Sequence, residues 1–348
     1  MDQVKHLRRE TTDETPARPS KTSAYTGQKC PLFLKARGSY LGPHKDGIAQ
    51  EDQQMCVALL ARECDTPRGM ILDDATFPYL QHRILERNEK AVVILLGQAL
   101  VPSAEIEKLR GNVVFDGFID TINESWTGWV PLHADTEPAT EKQRAQQQEQ
   151  LPRPQPDYSV GFLHEAFGDA RLRKLTPLLA GIGDNSLFKG TLEMLFPFLT
   201  AEAKSAKRTL LEASHQNAHS MTCALRGVVK LFQLVKREAE LHRRILGFSC
   251  AYDHERVQWY GHYVAVREDD SKITYHRHEI ETLSLKARNG RDRWASYKLA
   301  LAVYNDWVPK HLERLCSAID DLPDNISFDV DPDPTPQVAA DGDGIVES

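Results

Sequence analysis

The chain has 348 residues, 41% of them hydrophobic and 27% charged, with a formal net charge of -7 at pH 7. That length holds one large domain or two small ones, and the composition excludes a fibrous or wholly disordered chain. Six scattered cysteines without a C-x-x-C pair argue against a structural zinc ribbon, and no apolar run is long enough to span a bilayer.

Met1 to Lys29 is polar and lacks the apolar core of a signal peptide, so the expected location is intracellular, nucleus or cytoplasm, with no membrane partner. The negative charge is unevenly placed. Asp324 to Ser348 carries seven acids and no Lys or Arg, which leaves the body of the chain neutral and open to a nucleic-acid partner.

Residues 1–50 are rich in Thr, Pro, Lys and Gly and read as a disordered N-terminal region, with a short ordered patch at Leu32-Phe33-Leu34. Residues 51–133 read as a helical N-terminal part. Apolar residues recur at helical spacing from Gln50 to Leu60 and from Phe77 to Val101. Pro102-Ser103 ends the second run, and Ser103 is placed to cap the next helix, with Glu105 and Glu107 in its first turn. Phe115, Phe118, Ile119 and Ile122 form a further stripe, read as the helix before the first core strand, with Glu124 just past it. Residues 134–156, rich in Gln, Glu, Thr and Pro, read as a flexible insertion.

Residues 157–323 read as the core. Pro156-Asp157 opens a strand through Phe162, and a helix and turn follow over 166–183. A short element over Leu187–Leu195 leads into the apolar run Phe196-Pro197-Phe198-Leu199-Thr200, which ends in Glu202-x-Lys204. Thr209 to Arg243 is a long helix with Met221, Leu225, Val228, Leu231, Phe232 and Val235 on one face. Three strands follow, Ile245–Ala251, Val257–Val266 and Ile273–Ile280. A closing helix covers Asp292–Ile319, kinked near Pro309. The tail, 324–348, reads as disordered. This order predicts an α/β or α+β fold, a mixed sheet flanked by helices.

Glu202 and Lys204 alternate onto one side of their strand. A carboxylate and an ammonium there, joined by Asp157, supply parts for metal-assisted phosphodiester chemistry. Between Lys204 and Arg244 nine Lys or Arg face three acids, a basic helix that suits a phosphate backbone or simply solvent. His215-x-x-x-His219 lacks the Glu of a zinc-protease helix and reads as a polar helix start. His254, His262, His276 and His278 sit at no ligand spacing. Trp294, Tyr297, Tyr304 and Trp307 read as core.

Pro156-Asp157 with Glu202-x-Lys204 resembles the PD-(D/E)XK nuclease superfamily. Pro154 to Gly161, Phe196 to Thr200, Gln216 to Met221, Leu234 to Glu238, Tyr260 to Tyr263 and Cys316 to Asp320 resemble more closely a fungal family of PD-(D/E)XK nuclease-like proteins. The resemblance runs from about Glu105 to Pro323 and implies a restriction-endonuclease-like fold. It implies Mg²⁺ or Mn²⁺ held by Asp157 and Glu202, with Glu124 as a further ligand, Lys204 as the catalytic lysine and Gln216 near the metal. It also implies DNA or RNA as substrate. The chain departs from the pattern in a long gap between Asp157 and Glu202 and in Ala201 and Ala203, where relatives would carry Cys and Val. Those departures support a second reading, a fold retained for nucleic-acid or protein binding without turnover.

Overall fold

The computed structural model describes residues 23–132, 150–179, 185–267 and 272–323. Its centre is the strand that the sequence marks by its apolar run. Strand β3, Leu195–Ala203, is buried at all nine positions, as a strand covered on both faces must be. Around it lie β1 (Phe118–Ile122), β2 (Tyr158–Phe162), β4 (Ile245–Tyr252), β5 (Arg256–Val266) and β6 (Ile273–Ser284), in sequential order across one six-stranded sheet. Every neighbouring pair is antiparallel except β3 with β4. A parallel pair needs a long crossover, and the helix Leu210–Leu234 supplies it. The expected mixed sheet flanked by helices is the fold observed.

The other long helices are α1 (Lys29–Lys35), α2 (Gln50–Ala61), α3 (Phe77–Arg83), α4 (Glu89–Leu100), α5 (Ala104–Leu109) and α6 (Gly168–Leu175) before the crossover helix α7, then α8 (Ala295–Ala302) and α9 (Val308–Asp320). Helix α7 covers one sheet face: Asn217 accepts from the Thr200 hydroxyl at 2.8 Å and donates to the Cys250 carbonyl at 3.0 Å. The C-terminal helices cover the other. Trp307 meets Phe248 edge-on at 4.8 Å and stacks on His311 at 4.5 Å. Tyr297, Tyr304 and Trp307 are core residues, as expected, and Trp294 is half-buried. Pro309 sits in the first turn of α9, where its missing N–H costs nothing, and a π-turn over Val303–Trp307 links α8 to α9. No helix of the described residues is long and apolar enough to cross a membrane.

Three expectations change. Residues 23–50 are not a disordered region: Tyr25, Cys30, Leu34 and Ile48 are buried, and α1 carries the Leu32-Phe33-Leu34 patch. Polar anchors hold this segment, which apolar periodicity cannot reveal. Ser39 meets Thr222 at 2.7 Å, and Arg243 donates to the carbonyls of Asp46, Gly47 and Ile48. Second, the single run from Phe77 to Val101 is two helices, because Asn88 caps α4 by accepting from the Ala91 N–H at 3.0 Å. Ser103 caps α5 in the predicted way. Third, the stripe before Glu124 is an edge strand, β1, rather than a helix. Short apolar runs do not distinguish the two, and pairing with β2 decides. Residues 1–22, most of the Gln/Pro-rich insertion (133–149) and the acidic tail (324–348) lie outside the described residues.

Two changes test this packing. Gly227 lets α7 touch the chain at Leu187, whose carbonyl oxygen lies 2.3 Å from where a Cβ would stand. Gly227→Ala should therefore cost about 1–3 kcal/mol of unfolding free energy, measured by urea titration; an unchanged midpoint would contradict the packing. Buried His262 bonds the Ser249 hydroxyl at 2.8 Å, and burial, aided by Arg277, lowers its pKa to about 3. An unfolded imidazole titrates near 6.5. The unfolded chain therefore takes up a proton that the folded one refuses, and this residue's contribution falls as pH drops from about 6.5 towards 3. The stability difference between wild type and His262→Gln should shrink across that window and stay flat above pH 7.

Candidate active site

Where β2 begins and β3 ends, the ladder places three ionisable side chains together. Tyr158 pairs with Ala201, so Asp157, one residue earlier, lies beside the last residues of β3. Its Oδ2 accepts the Ala203 N–H at 2.8 Å, and the carboxylate thus takes the place of a backbone partner at the strand end. Glu202 is 2% exposed and Lys204 fully buried, while Asp157 keeps partial access to solvent. Asp157, Glu202 and Lys204, far apart in the chain, meet at one end of the sheet.

Two carboxyls this close and this dry cannot both ionise readily. Burial pushes Glu202 well above the usual carboxylate range, and the charge of Asp157 adds to it. Asp157 is also raised by burial, held back by the Ala203 N–H and by Lys204. The Lys204 ammonium donates to Glu89 Oε1 at 3.1 Å and to the Ala203 carbonyl at 2.7 Å. Glu89 is the first residue of α4, and its negative charge raises both acids.

Glu89 was not a candidate from sequence. Asn88-Glu89 is a readable helix start, but nothing local says that this start folds back onto β3. Glu124, expected to add a carboxylate, is exposed in the loop after β1; its neighbour Asn123 donates to the Asp157 carbonyl at 3.1 Å. Among the described residues Glu124 makes no ion pair, and Glu89 is the third acid at the pair instead. Gln216, in the second turn of α7, bonds neither carboxylate, and its Oε1 is buried without a partner.

Two tyrosines wall the buried side. Tyr252, at the end of β4, is raised well above its ordinary value by burial and then by Asp157; Tyr25 is raised by burial and then by Glu202. The Tyr25 hydroxyl meets His219 Nδ1 at 2.9 Å, and the Tyr25 carbonyl meets His215 Nδ1 at 2.9 Å. The two histidines of α7 thus anchor the N-terminal segment.

No group of three or more His, Cys, Asp or Glu side chains among the described residues is arranged to hold a metal ion. The Asp157–Glu202 pair still suits a hard divalent cation. Each acid raises the other's pKa, so positive charge between them would be favourable, and Mg²⁺ is commonly bound through one or two carboxylates with the rest of its shell water. Glu89 is committed to Lys204.

The basic character expected of α7 is largely used inside the protein. Arg226 donates to the carbonyls of Val130 and Pro131, and Arg208 pairs with Glu212. Beyond the helix, Arg237 pairs with Glu240 and Asp321, and Arg244 with Asp52. Lys207 and Lys236 are exposed.

No curated protein and no solved structure matches the chain. Residues 76–319 match a family described as a domain of unknown function, DUF7924. That stretch includes Glu89, Asp157, Glu202, Lys204 and Gln216 and leaves out Tyr25 and the N-terminal anchors. It spans well over half of the 348 residues, and the chain belongs to this family.

Proposed function

We propose that the chain is a metal-dependent nuclease-like hydrolase of the PD-(D/E)XK kind, acting on phosphodiester bonds of DNA or RNA. The observation that carries the reading is the meeting of Asp157, Glu202 and Lys204 at one end of β2 and β3. Asp157 and Glu202 would hold Mg²⁺ or Mn²⁺, which when bound supplies Lewis acidity and a more acidic water. The Ala203 N–H fixes one oxygen of Asp157 and so orients its carboxylate. Glu202 is 2% exposed, so bulk water is kept from its carboxyl. Lys204 would place positive charge beside the scissile phosphate once it leaves Glu89. In the present arrangement its ammonium is sealed and paired.

That sealing favours the second reading, a binding module without turnover. A lysine with no exposed surface cannot touch a substrate without moving.

Purified protein with Mg²⁺ or Mn²⁺ should cleave single- or double-stranded nucleic acid. Glu202→Gln and Lys204→Met, which keep the side-chain volume, should each lower the rate at least about a hundredfold. Cleavage that survives both changes would remove this mechanism. A thermal-unfolding series separates the two readings: saturating Mg²⁺, at a hundred times its dissociation constant, should stabilise the wild type by about 2.7 kcal/mol and Glu202→Gln far less. No Mg²⁺ stabilisation, with salt-sensitive nucleic-acid binding intact, would establish the binding module instead.

A further inference from the structure

Unpaired positive charge gathers beside the acid pair. Glu89 and Lys204 meet at 3.1 Å, so the start of α4 and the loop after β3 stand next to each other. Each carries cations just past that contact. Lys90 adjoins Glu89, Arg87 lies two residues before it, and Lys207 lies three residues after Lys204, within about 11 Å by Cα spacing. All three are exposed, and among the described residues none of their side chains makes an ion pair or a hydrogen bond. The arginines further along are spent otherwise: Arg208 pairs with Glu212, and Arg226 holds the Val130 and Pro131 carbonyls.

Helix α3 extends the line. Phe77, Leu80 and Ile84 turn inwards and are buried, so the opposite face carries Tyr79 and Arg83, one turn apart. Arg83 is exposed and its side chain is also unpaired. Tyr79 keeps 75% of its surface exposed and takes no ring partner or hydrogen bond among the described residues. The helix beneath it is fixed, with the Arg293 guanidinium over the Phe77 ring at 5.4 Å. Most acids on this side are engaged. Asp73 accepts the N–H groups of Gly69 and Met70, Asp74 pairs with Arg293, Glu89 with Lys204 and Glu212 with Arg208. Glu86 is the exposed acid that remains, between Arg83 and Arg87.

An exposed tyrosine alone is ordinary, and so is an exposed lysine. Here the tyrosine stands in line with four unpaired cations that lead to the half-buried edge of the acid pair, where Asp157 and Glu89 are. Cations hold a phosphate backbone, and an open aromatic ring stacks a base. A duplex keeps its base faces stacked on one another and offers such a ring nothing, whereas a single strand offers both parts. We propose that a single-stranded nucleic acid reaches the acid pair along this line, with a base on Tyr79 and phosphates at Arg83, Arg87, Lys90 and Lys207. The proposal takes the nucleic-acid reading of the site as its starting point and adds the form of the substrate and its path.

Fluorescence anisotropy of a labelled thymidine oligonucleotide, titrated with the full chain in EDTA, tests binding apart from cleavage. The single strand should bind more tightly than a duplex of the same length, and more weakly as salt rises. Tyr79→Ser should weaken it about tenfold. Lys90→Gln and Lys207→Gln should each flatten the slope of log affinity against log salt by about 0.7. Lys236→Gln, at the other end of α7, should change neither quantity. All four side chains are exposed, so the variants keep the fold. A duplex bound as tightly as the single strand overturns the proposal. So do Tyr79→Ser and Lys90→Gln proteins that bind like the wild type, even where the wild type cleaves with Mg²⁺. The expected binding pattern in a protein that does not cleave supports the path and removes the cleavage reading alone.

Discussion

The structure turns on one buried electrostatic arrangement: the Asp157–Glu202 acid pair with the Lys204 ammonium beside it, at the end of a strand that is otherwise apolar. Isolated charge in such a place is strongly unfavourable, and groups there are neutralised, paired or hydrogen-bonded. All three remedies are present. Burial favours the protonated acid in the pair, Ala203 donates its N–H to Asp157, and Glu89 with the Ala203 carbonyl takes up the ammonium. Replacing such a set by apolar residues of equal volume often leaves stability unchanged or raises it, so stability alone gives no reason to keep it. The arrangement is therefore read as a site.

Its position follows from the topology. β3 and β4 run parallel, so α7 must cross over, and the C-terminal ends of both strands open on the same side. Tyr252 arrives from β4 and Tyr25 from the segment laid over α7. Both feel the charge of the pair, Tyr252 that of Asp157 and Glu202 and Tyr25 that of Glu202. α4 approaches from the remaining side and brings Glu89 as its first residue. The family match begins at residue 76, ahead of Glu89, so the acid pair, the lysine and its partner belong to the shared domain. Tyr25 is an addition from outside that match.

What sequence could show was set by how local each signal is. The apolar run of β3, the 3.6-residue period of α7 and the three strands after it are local patterns, and all became elements. Asp157 and the Glu202-x-Lys204 pair could be named because strand order and a family resemblance brought them together. Glu89 could not, since its role depends on where a helix start lands in space. The N-terminal segment escaped for a related reason. Its order comes from polar contacts such as Ser39 with Thr222 and Arg277 with the Leu41 carbonyl, and these leave no periodic trace. The basic count along α7 misled because charge in a sequence does not say where it points. Arg226, Arg237, Arg243 and Arg244 are spent on carbonyls and carboxylates within the fold.

That use of charge also constrains how anything reaches the acid pair. Glu202 and Lys204 are sealed, whereas Asp157 and Glu89 keep part of their surface open. Among these four residues, access therefore runs past Asp157 and the start of α4. A cation entering there would meet the half-buried Asp157 carboxylate before the buried Glu202 carboxyl. Positive charge placed between the two acids would relieve their mutual repulsion. It would also weaken the pull of that site on the ammonium, whose closest carboxylate, Glu89, stands at the open edge. The ion pair between Lys204 and Glu89 is thus the contact that a bound cation would disturb most directly, and the lysine's freedom to move would depend on how firmly α4 holds Glu89 in place.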